Sequence, residues 1–143
     1  MSSETQAPPT PSIPLPRPTS LSKPYWDACR EGRLTVQQCK ACESYTFIPQ
    51  PCCGDCLSEK LEWVESSGRG TLYSFTTVHR PQQPMFEVPY TVVVVELEEG
   101  YYMLSNLIGV APGDIEIGAP LEVFFQERSD EISLPYFRVR TEA

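Results

Sequence analysis

Cys39-Lys-Ala-Cys42, followed after ten residues by Cys53-Gly-Asp-Cys56, is the stretch on which the reading of this chain turns. Four thiolates that arrive as two tight turns can close a tetrahedron around one metal ion. A catalytic zinc usually keeps one coordination position open and mixes His or carboxylate into its ligands, whereas four sulfurs complete the shell. The spacing therefore predicts one structural zinc per chain, held by Cys39, Cys42, Cys53 and Cys56. Cys52 precedes Cys53 and competes with it as a ligand, but the x-x spacing selects Cys53 and leaves Cys52 as a free thiol beside the site.

On either side of the first turn, Leu34 to Gln38 reads as a strand leading in and Ser44 to Ile48 as a strand leading out, which together make a zinc ribbon. Upstream, Ser22 to Gly32 reads as one short helix: Ser22 offers a cap, Pro24 suits the first turn and Gly32 ends it. Tyr25, Trp26 and Cys29 fall near one side at helical spacing and are expected to pack into the core, with a partner-facing anchor as the alternative. Cys29 is expected to be buried and unreactive, because no base or cation cluster stands near it in sequence.

Downstream, the pattern changes to strands rich in β-branched and aromatic residues and separated by Gly, Pro and acidic turns. The expected strands are Leu61 to Val64, Gly70 to His79, Tyr90 to Leu97, Tyr101 to Ile108, Leu121 to Gln126 and Leu134 to Val139. Leu121, Val123 and Phe125 alternate with Glu122, Phe124 and Gln126, as a strand with one buried face requires. Glu98-Glu99-Gly100 has the glycine for a tight hairpin. The unbroken run Val92 to Val95 predicts cover on both faces. In the long strand, strict alternation would put Tyr73, Phe75, Thr77 and His79 in one row. The chain is thus mostly β, with a helix and zinc ribbon followed by a small closed barrel of five to six strands. The expected organisation is a disordered Pro-rich arm at 1–20, helix and ribbon at 21–60, and barrel at 61–143.

The arm is proline at nearly every second residue from Ala7 to Pro18, which removes backbone donors and favours an extended, solvated chain. No run approaches the roughly 20 apolar residues that cross a bilayer, and the N-terminus lacks a secretory pattern, so no membrane association is expected and a cytoplasmic setting is. Metal binding then accounts for the cysteines better than a disulfide scaffold does. The formal charge is -8. With glutamates spread through the strands, such a chain repels nucleic acid; a single-stranded nucleic-acid-binding barrel would need aromatics interleaved with Lys and Arg.

The order Pro24-Tyr-Trp26, Gly32-Arg-Leu34, the two C-x-x-C pairs around Phe47-Ile-Pro49, then Ser67-Gly-Arg-Gly-Thr-Leu-Tyr-Ser-Phe-Thr-Thr-Val-His-Arg80 and Pro89-Tyr-Thr-Val-Val-Val-Val-Glu-Leu97, resembles the domain-of-unknown-function-35 family over residues 22 to 140. The resemblance implies a rubredoxin-like zinc ribbon joined to an OB-fold barrel, and an accessory role. Members bind thiolase-superfamily proteins and serve acyltransferases, archaeal hydroxymethylglutaryl-CoA synthesis complexes and aldolases that shorten steroid side chains held as CoA thioesters. A partnered thiolase-like subunit, two copies of each chain, and an acyl-CoA substrate contacted by the complex are what it implies here. The chain departs from the family in carrying Glu43 and Leu57, where Gly often follows the second cysteine of a pair, and Gln50, where Arg often follows the proline. The first departure predicts strained turns, since Gly best tolerates positive φ.

No catalytic residue is assigned. His79 is the one side chain with an ordinary pKa near neutrality, but no nucleophile-plus-base pair and no phosphate-cradling loop accompanies it; a self-sufficient thioester hydrolase built on His79 is the enzyme reading it would support. Arg80, Phe86 and Tyr90 flank the Pro81 to Pro89 loop, which with His79 is a candidate for acyl-CoA or partner contact, as are Tyr25 and Trp26 on the helix. Gly68-Arg-Gly70 with Lys60 offers modest positive charge for a CoA phosphate, against the simpler reading of a solvated turn.

Overall fold

The computed structural model of the chain describes residues 13–141. Residues 1–12 of the expected arm lie outside the described residues; from Ile13 to Pro18 the chain has no regular secondary structure, with Ile13, Leu15 and Pro16 half-buried. Helix α1 runs Lys23–Arg30 and begins with proline in its first turn. Ser22 does not cap it: the Ser22 hydroxyl instead accepts the Thr19 backbone N–H at 2.9 Å, and Thr19 Oγ1 accepts the Ser22 N–H at 3.1 Å. A local hydroxyl exchange one turn upstream has displaced the expected cap. At the other end Gly32 takes φ 77° and the two bonds Gly32 N–H to Cys29 O (3.1 Å) and Arg33 N–H to Ala28 O (2.9 Å) close a Schellman motif.

Strands β1 (Thr35–Cys39), β2 (Tyr45–Thr46) and β3 (Leu61–Glu65) form an antiparallel three-stranded sheet in the order β2-β1-β3. The strand expected from Leu61 is therefore present, but it pairs with β1 over five residues and completes the ribbon sheet instead of entering the barrel. Five strands then close the barrel in the order β4-β5-β6-β8-β7: β4 (Arg69–Val78), β5 (Tyr90–Leu97), β6 (Tyr102–Leu107), β7 (Pro120–Glu127) and β8 (Ser133–Val139). All neighbours are antiparallel except β6 and β8, which meet in parallel at Leu107 and Phe137. Closure removes the free edges that would otherwise template pairing with another chain.

Inward residues Leu72, Val93, Val95, Leu97, Met103, Leu107, Leu121 and Phe137 fill the barrel, and Phe137 is fully buried. Tyr25 and Cys29 of α1 and Leu34 and Val36 of the ribbon join the same hydrophobic cluster, so helix, ribbon and barrel share one core. Val93 and Val95 are buried while Val92 and Val94 remain half-buried, so the outer face of the valine run is only partly covered.

Strict alternation fails in β4. The pairing with β5 shifts between Leu72 and Ser74, a bulge in which Tyr73 is the extra residue. Every side chain after it changes face, so Tyr73 points outward while Phe75 and Thr77 line up inward opposite Val93 and Thr91. The single row of Tyr73, Phe75, Thr77 and His79 does not form.

Candidate metal centre

The two C-x-x-C turns fold as near copies. Cys39 N–H donates to Ser44 O at 2.9 Å and Cys53 N–H to Ser58 O at 2.8 Å; Glu43 N–H donates to Cys39 O at 2.9 Å and Leu57 N–H to Cys53 O at 3.1 Å. Both turns therefore follow the pattern Cys-x-x-Cys-x-Ser, a repeat visible in the sequence that would have located the serine carbonyls. Glu43 (φ 66°) and Leu57 (φ 64°) occupy the left-handed position, as the missing glycines lead one to expect. For Leu57, whose side chain is 72% exposed, this strain is offset by no buried contact. Leu57→Gly is expected to stabilise the protein by about 0.5–1 kcal/mol and to raise the thermal midpoint by a few degrees; an unchanged or lower midpoint would count against the strain.

The turns bring Cys39 Sγ to 3.6 Å from Cys56 Sγ and Cys42 Sγ to 3.5 Å from Cys53 Sγ, with all four sulfurs within 4.8 Å of one another. A tetrahedron with Zn–S bonds of about 2.3 Å has edges of about 3.8 Å, so the donor set fits a single zinc. Backbone N–H groups support the buried pair of ligands, Ala41 donating to Cys39 Sγ at 3.3 Å and Asp55 to Cys53 Sγ at 3.4 Å. Such donors favour the thiolate: the Cys42 and Ala41 N–H groups hold Cys39 below the usual thiol range, and the Ser44 hydroxyl and N–H do the same for Cys42. Cys56, despite the Ser58 N–H directed at it, is pushed up to about 12 by the neighbouring Cys42 and Cys39 sulfurs. Metal binding takes all four sulfurs as thiolates and so releases the protons they still carry.

The loop between the turns is fixed from two sides. The buried Gln37 amide donates to Gln50 O at 3.0 Å and accepts the Gln50 N–H at 2.8 Å, and so orients the approach to Cys53 through backbone groups that any residue at position 50 supplies. Tyr45 and Phe47 each stack 5.9 Å from Tyr101 of the barrel. Behind that stack lies a network that sequence reasoning missed. The Tyr101 hydroxyl donates to Ser66 Oγ at 2.8 Å, the Ser66 hydroxyl donates to Glu99 Oε1 at 3.1 Å, and Glu99 Oε2 accepts the Ser67 N–H at 2.6 Å. Glu99 thus ties the β5–β6 hairpin, turned by Gly100 at φ 97°, to the segment joining ribbon and barrel. Only the local sequence hairpin signal was available for it, because Ser66 and Glu99 are 33 residues apart.

Tyr25 is not available as a surface contact. Its ring is 5% exposed and lies 5.9 Å from Phe47 and 6.5 Å from Trp63, in the seam between helix and ribbon. Burial, with the Cys29 sulfur adding to it, raises the phenol above its ordinary range. Cys29 is fully buried and its thiol is pushed up to about 12 by that burial, so it is protonated at neutral pH and inert. Trp26 is half-buried beside Tyr25, and Cys52 is half-exposed. His79 and Arg80 are exposed just past the end of β4, and Phe86, in the loop that follows, has its ring 6.0 Å from that of Tyr90, the first residue of β5. These four residues are gathered at one end of the barrel, with Val78 opposite Tyr90. Arg69 stands opposite Glu122 of β7 in the barrel, whereas Lys60 lies in no strand, just ahead of β3, its carbonyl bonded to Lys40 N–H.

The molecule is therefore a rubredoxin-like zinc ribbon, closed by four cysteines, on a five-stranded OB-type barrel. Two family models match in tandem: the ChsH2 rubredoxin-like zinc ribbon domain over residues 26–62 and the ChsH2 C-terminal OB-fold domain over residues 63–126. A chain of the Ltp2–ChsH2(DUF35) aldolase shares the fold at TM-score 0.79 and 39% identity, covering 87% of this chain and 98% of that one. A DUF35 domain-containing scaffold protein of Methanothermobacter thermautotrophicus is 33% identical over 100 residues, 68% of this chain and 75% of its own length. The chain belongs to the ChsH2/DUF35 family. The probable enoyl-CoA hydratase alpha subunit of Thermomonospora curvata is 42% identical over 125 residues, which are 86% of this chain but only 39% of that subunit. This chain thus spans about two fifths of that relative's length.

Proposed function

We propose that this chain is a zinc-containing accessory subunit of a CoA-thioester enzyme, docking on a thiolase-like catalytic subunit and helping to shape its acyl-CoA channel. The observation that carries the reading is that ribbon and barrel together, rather than one module, match 98% of a chain of an aldolase that is named for two proteins. In this reading the zinc is structural, one per chain, and the shared core makes a rigid body whose shape is its contribution. Among the described residues His79 makes no side-chain hydrogen bond to a carboxylate or nucleophile, and the Cys29 thiol is buried, so neither supports chemistry by this chain alone.

The finer reading is retro-aldol cleavage of a steroid side-chain acyl-CoA by an assembly of two copies of each chain, in the cytoplasm. Among the described residues no helix is long and apolar enough to cross a membrane. His79, Arg80, Phe86 and Tyr90 are the residues assigned to the thioester channel, since they combine a cation with aromatic surface at one barrel end. The purified chain is expected to bind one zinc and to turn over no acyl-CoA thioester, and to raise the retro-aldol rate of an Ltp2-type thiolase-like subunit at least about 100-fold, the scale on which misplacing a reacting group costs rate. An equal rate from that subunit by itself would overturn the reading.

A further inference from the structure

The outer face of the barrel over β4, β5 and β6 carries apolar side chains that the fold does not need. Tyr73, the extra residue of the bulge, points outward and is 56% exposed; its ring meets that of Tyr102, 47% exposed, at 5.0 Å in an edge arrangement. Leu104, 67% exposed, follows on β6 opposite Val94, which is half-buried on β5. In the middle of this surface stands Glu96, flanked in register by Thr71 on one side and Tyr102 on the other. It is half-buried, and among the described residues its carboxylate forms no ion pair and no hydrogen bond.

Tyr102 also lines an open cleft of about 470 Å³ between ribbon and barrel, whose walls include Tyr45, Phe47 and Tyr101 and whose rim carries Asp55. Cleft and sheet face are thus continuous through one ring. Aromatic and leucine side chains around a half-buried carboxylate without an ion pair make a surface that is apolar and negative, complementary to an apolar segment that carries a cation. A second copy of this chain, with 19 acidic against 11 basic side chains, is the poorer source of such a cation.

We propose that this face and the adjoining cleft form the docking surface for the catalytic subunit, and that they receive an apolar segment of it whose arginine or lysine reaches Glu96. The inference rests on the accessory-subunit reading and names its contact surface. Tyr73 keeps the outward place that alternation from the buried Leu72 gives it, while the bulge turns the next aromatic, Phe75, inward opposite Val93.

The test measures binding of the intact zinc-loaded chain to the same Ltp2-type thiolase-like subunit by sedimentation and calorimetry. Leu104→Glu and Tyr102→Glu are each expected to weaken binding at least about tenfold with zinc content and thermal midpoint unchanged, as loss of a central contact does. Glu96→Gln, which disturbs no packing, is expected to weaken it severalfold and to flatten its dependence on salt. Leu21→Glu, at an exposed leucine ahead of the helix, serves as the control and is expected to leave binding unchanged. Wild-type-like binding by both glutamate variants and by Glu96→Gln overturns the inference and leaves the accessory-subunit reading standing. Self-association of the wild type that Leu104→Glu abolishes assigns the face to a second copy and overturns it also. A wild-type chain that neither binds nor activates the subunit overturns the underlying reading, and the inference with it.

Discussion

Cys39→Ser is expected to lose the metal and, with it, the cooperative fold of the ribbon. The ribbon sheet consists of two five-residue strands and one of two residues, too little hydrogen-bonded structure to persist alone. In small metal domains the apparent binding free energy, about 10–16 kcal/mol, is folding free energy. Removing one of four thiolates leaves an open shell with a poor hydroxyl ligand and takes away the sulfur that two turns converge on. The damage spreads, because Tyr45 and Phe47 lie between the turns and stack on Tyr101, and Leu34 and Val36 belong to the same core as Leu72 and Phe137. The expected result is substoichiometric zinc by elemental analysis and a thermal midpoint lowered by more than about 10 °C. A variant holding one zinc per chain with an unshifted midpoint would remove the metal from the account of stability.

Gly70→Ala is expected to destabilise the barrel by about 2–3 kcal/mol, which in a chain of this size lowers the thermal midpoint by roughly 10 °C. Gly70 sits where β4 is paired on both sides, with Leu97 of β5 and Leu121 of β7. A Cβ there would overlap the Glu96 carbonyl oxygen and come within 2.9 Å of the Glu96 carbonyl carbon and of Val95 Cγ1. Backbone of a central strand cannot rotate out of the way as a side-chain tip can, so the two strands must separate. Gly54, in the second metal turn, has no atom within 4 Å of an added Cβ and no positive φ; Gly54→Ala is expected to stay within about 0.5 kcal/mol of the parent. Equal midpoints for the two variants would show that the close approach at Gly70 is not limiting.

Much of this architecture was legible because its signals are local. The C-x-x-C spacing selects the four cysteines whose sulfurs the fold gathers, glycine at positions 32 and 100 marks two chain reversals, and period-two alternation marks Leu121, Val123 and Phe125 as one face. The positive φ at Glu43 and Leu57 was readable only through the family resemblance, which puts glycine after the second cysteine of each pair. What local signals do not carry is partnership. Leu61 to Val64 has the composition of any half-buried strand, and whether it joins ribbon or barrel depends on whether β1 has a free edge. Ser22 was a sound cap candidate until Thr19 competed for its hydroxyl. The bulge at Tyr73 leaves no mark in composition, yet it reverses the faces of the residues after it.

The amino-acid sequence alone determined the four cysteines that come together, the order of helix, ribbon and strands, and the family, because each depends on residues close together in the chain or on their order. Tertiary structure alone decided that ribbon and barrel share one core, that Glu99 clasps the segment between them, and that Tyr73, Tyr102 and Leu104 stand on one outer face around Glu96. Those outcomes depend on pairing register and on burial across tens of residues, and one inserted residue in a strand is enough to change them.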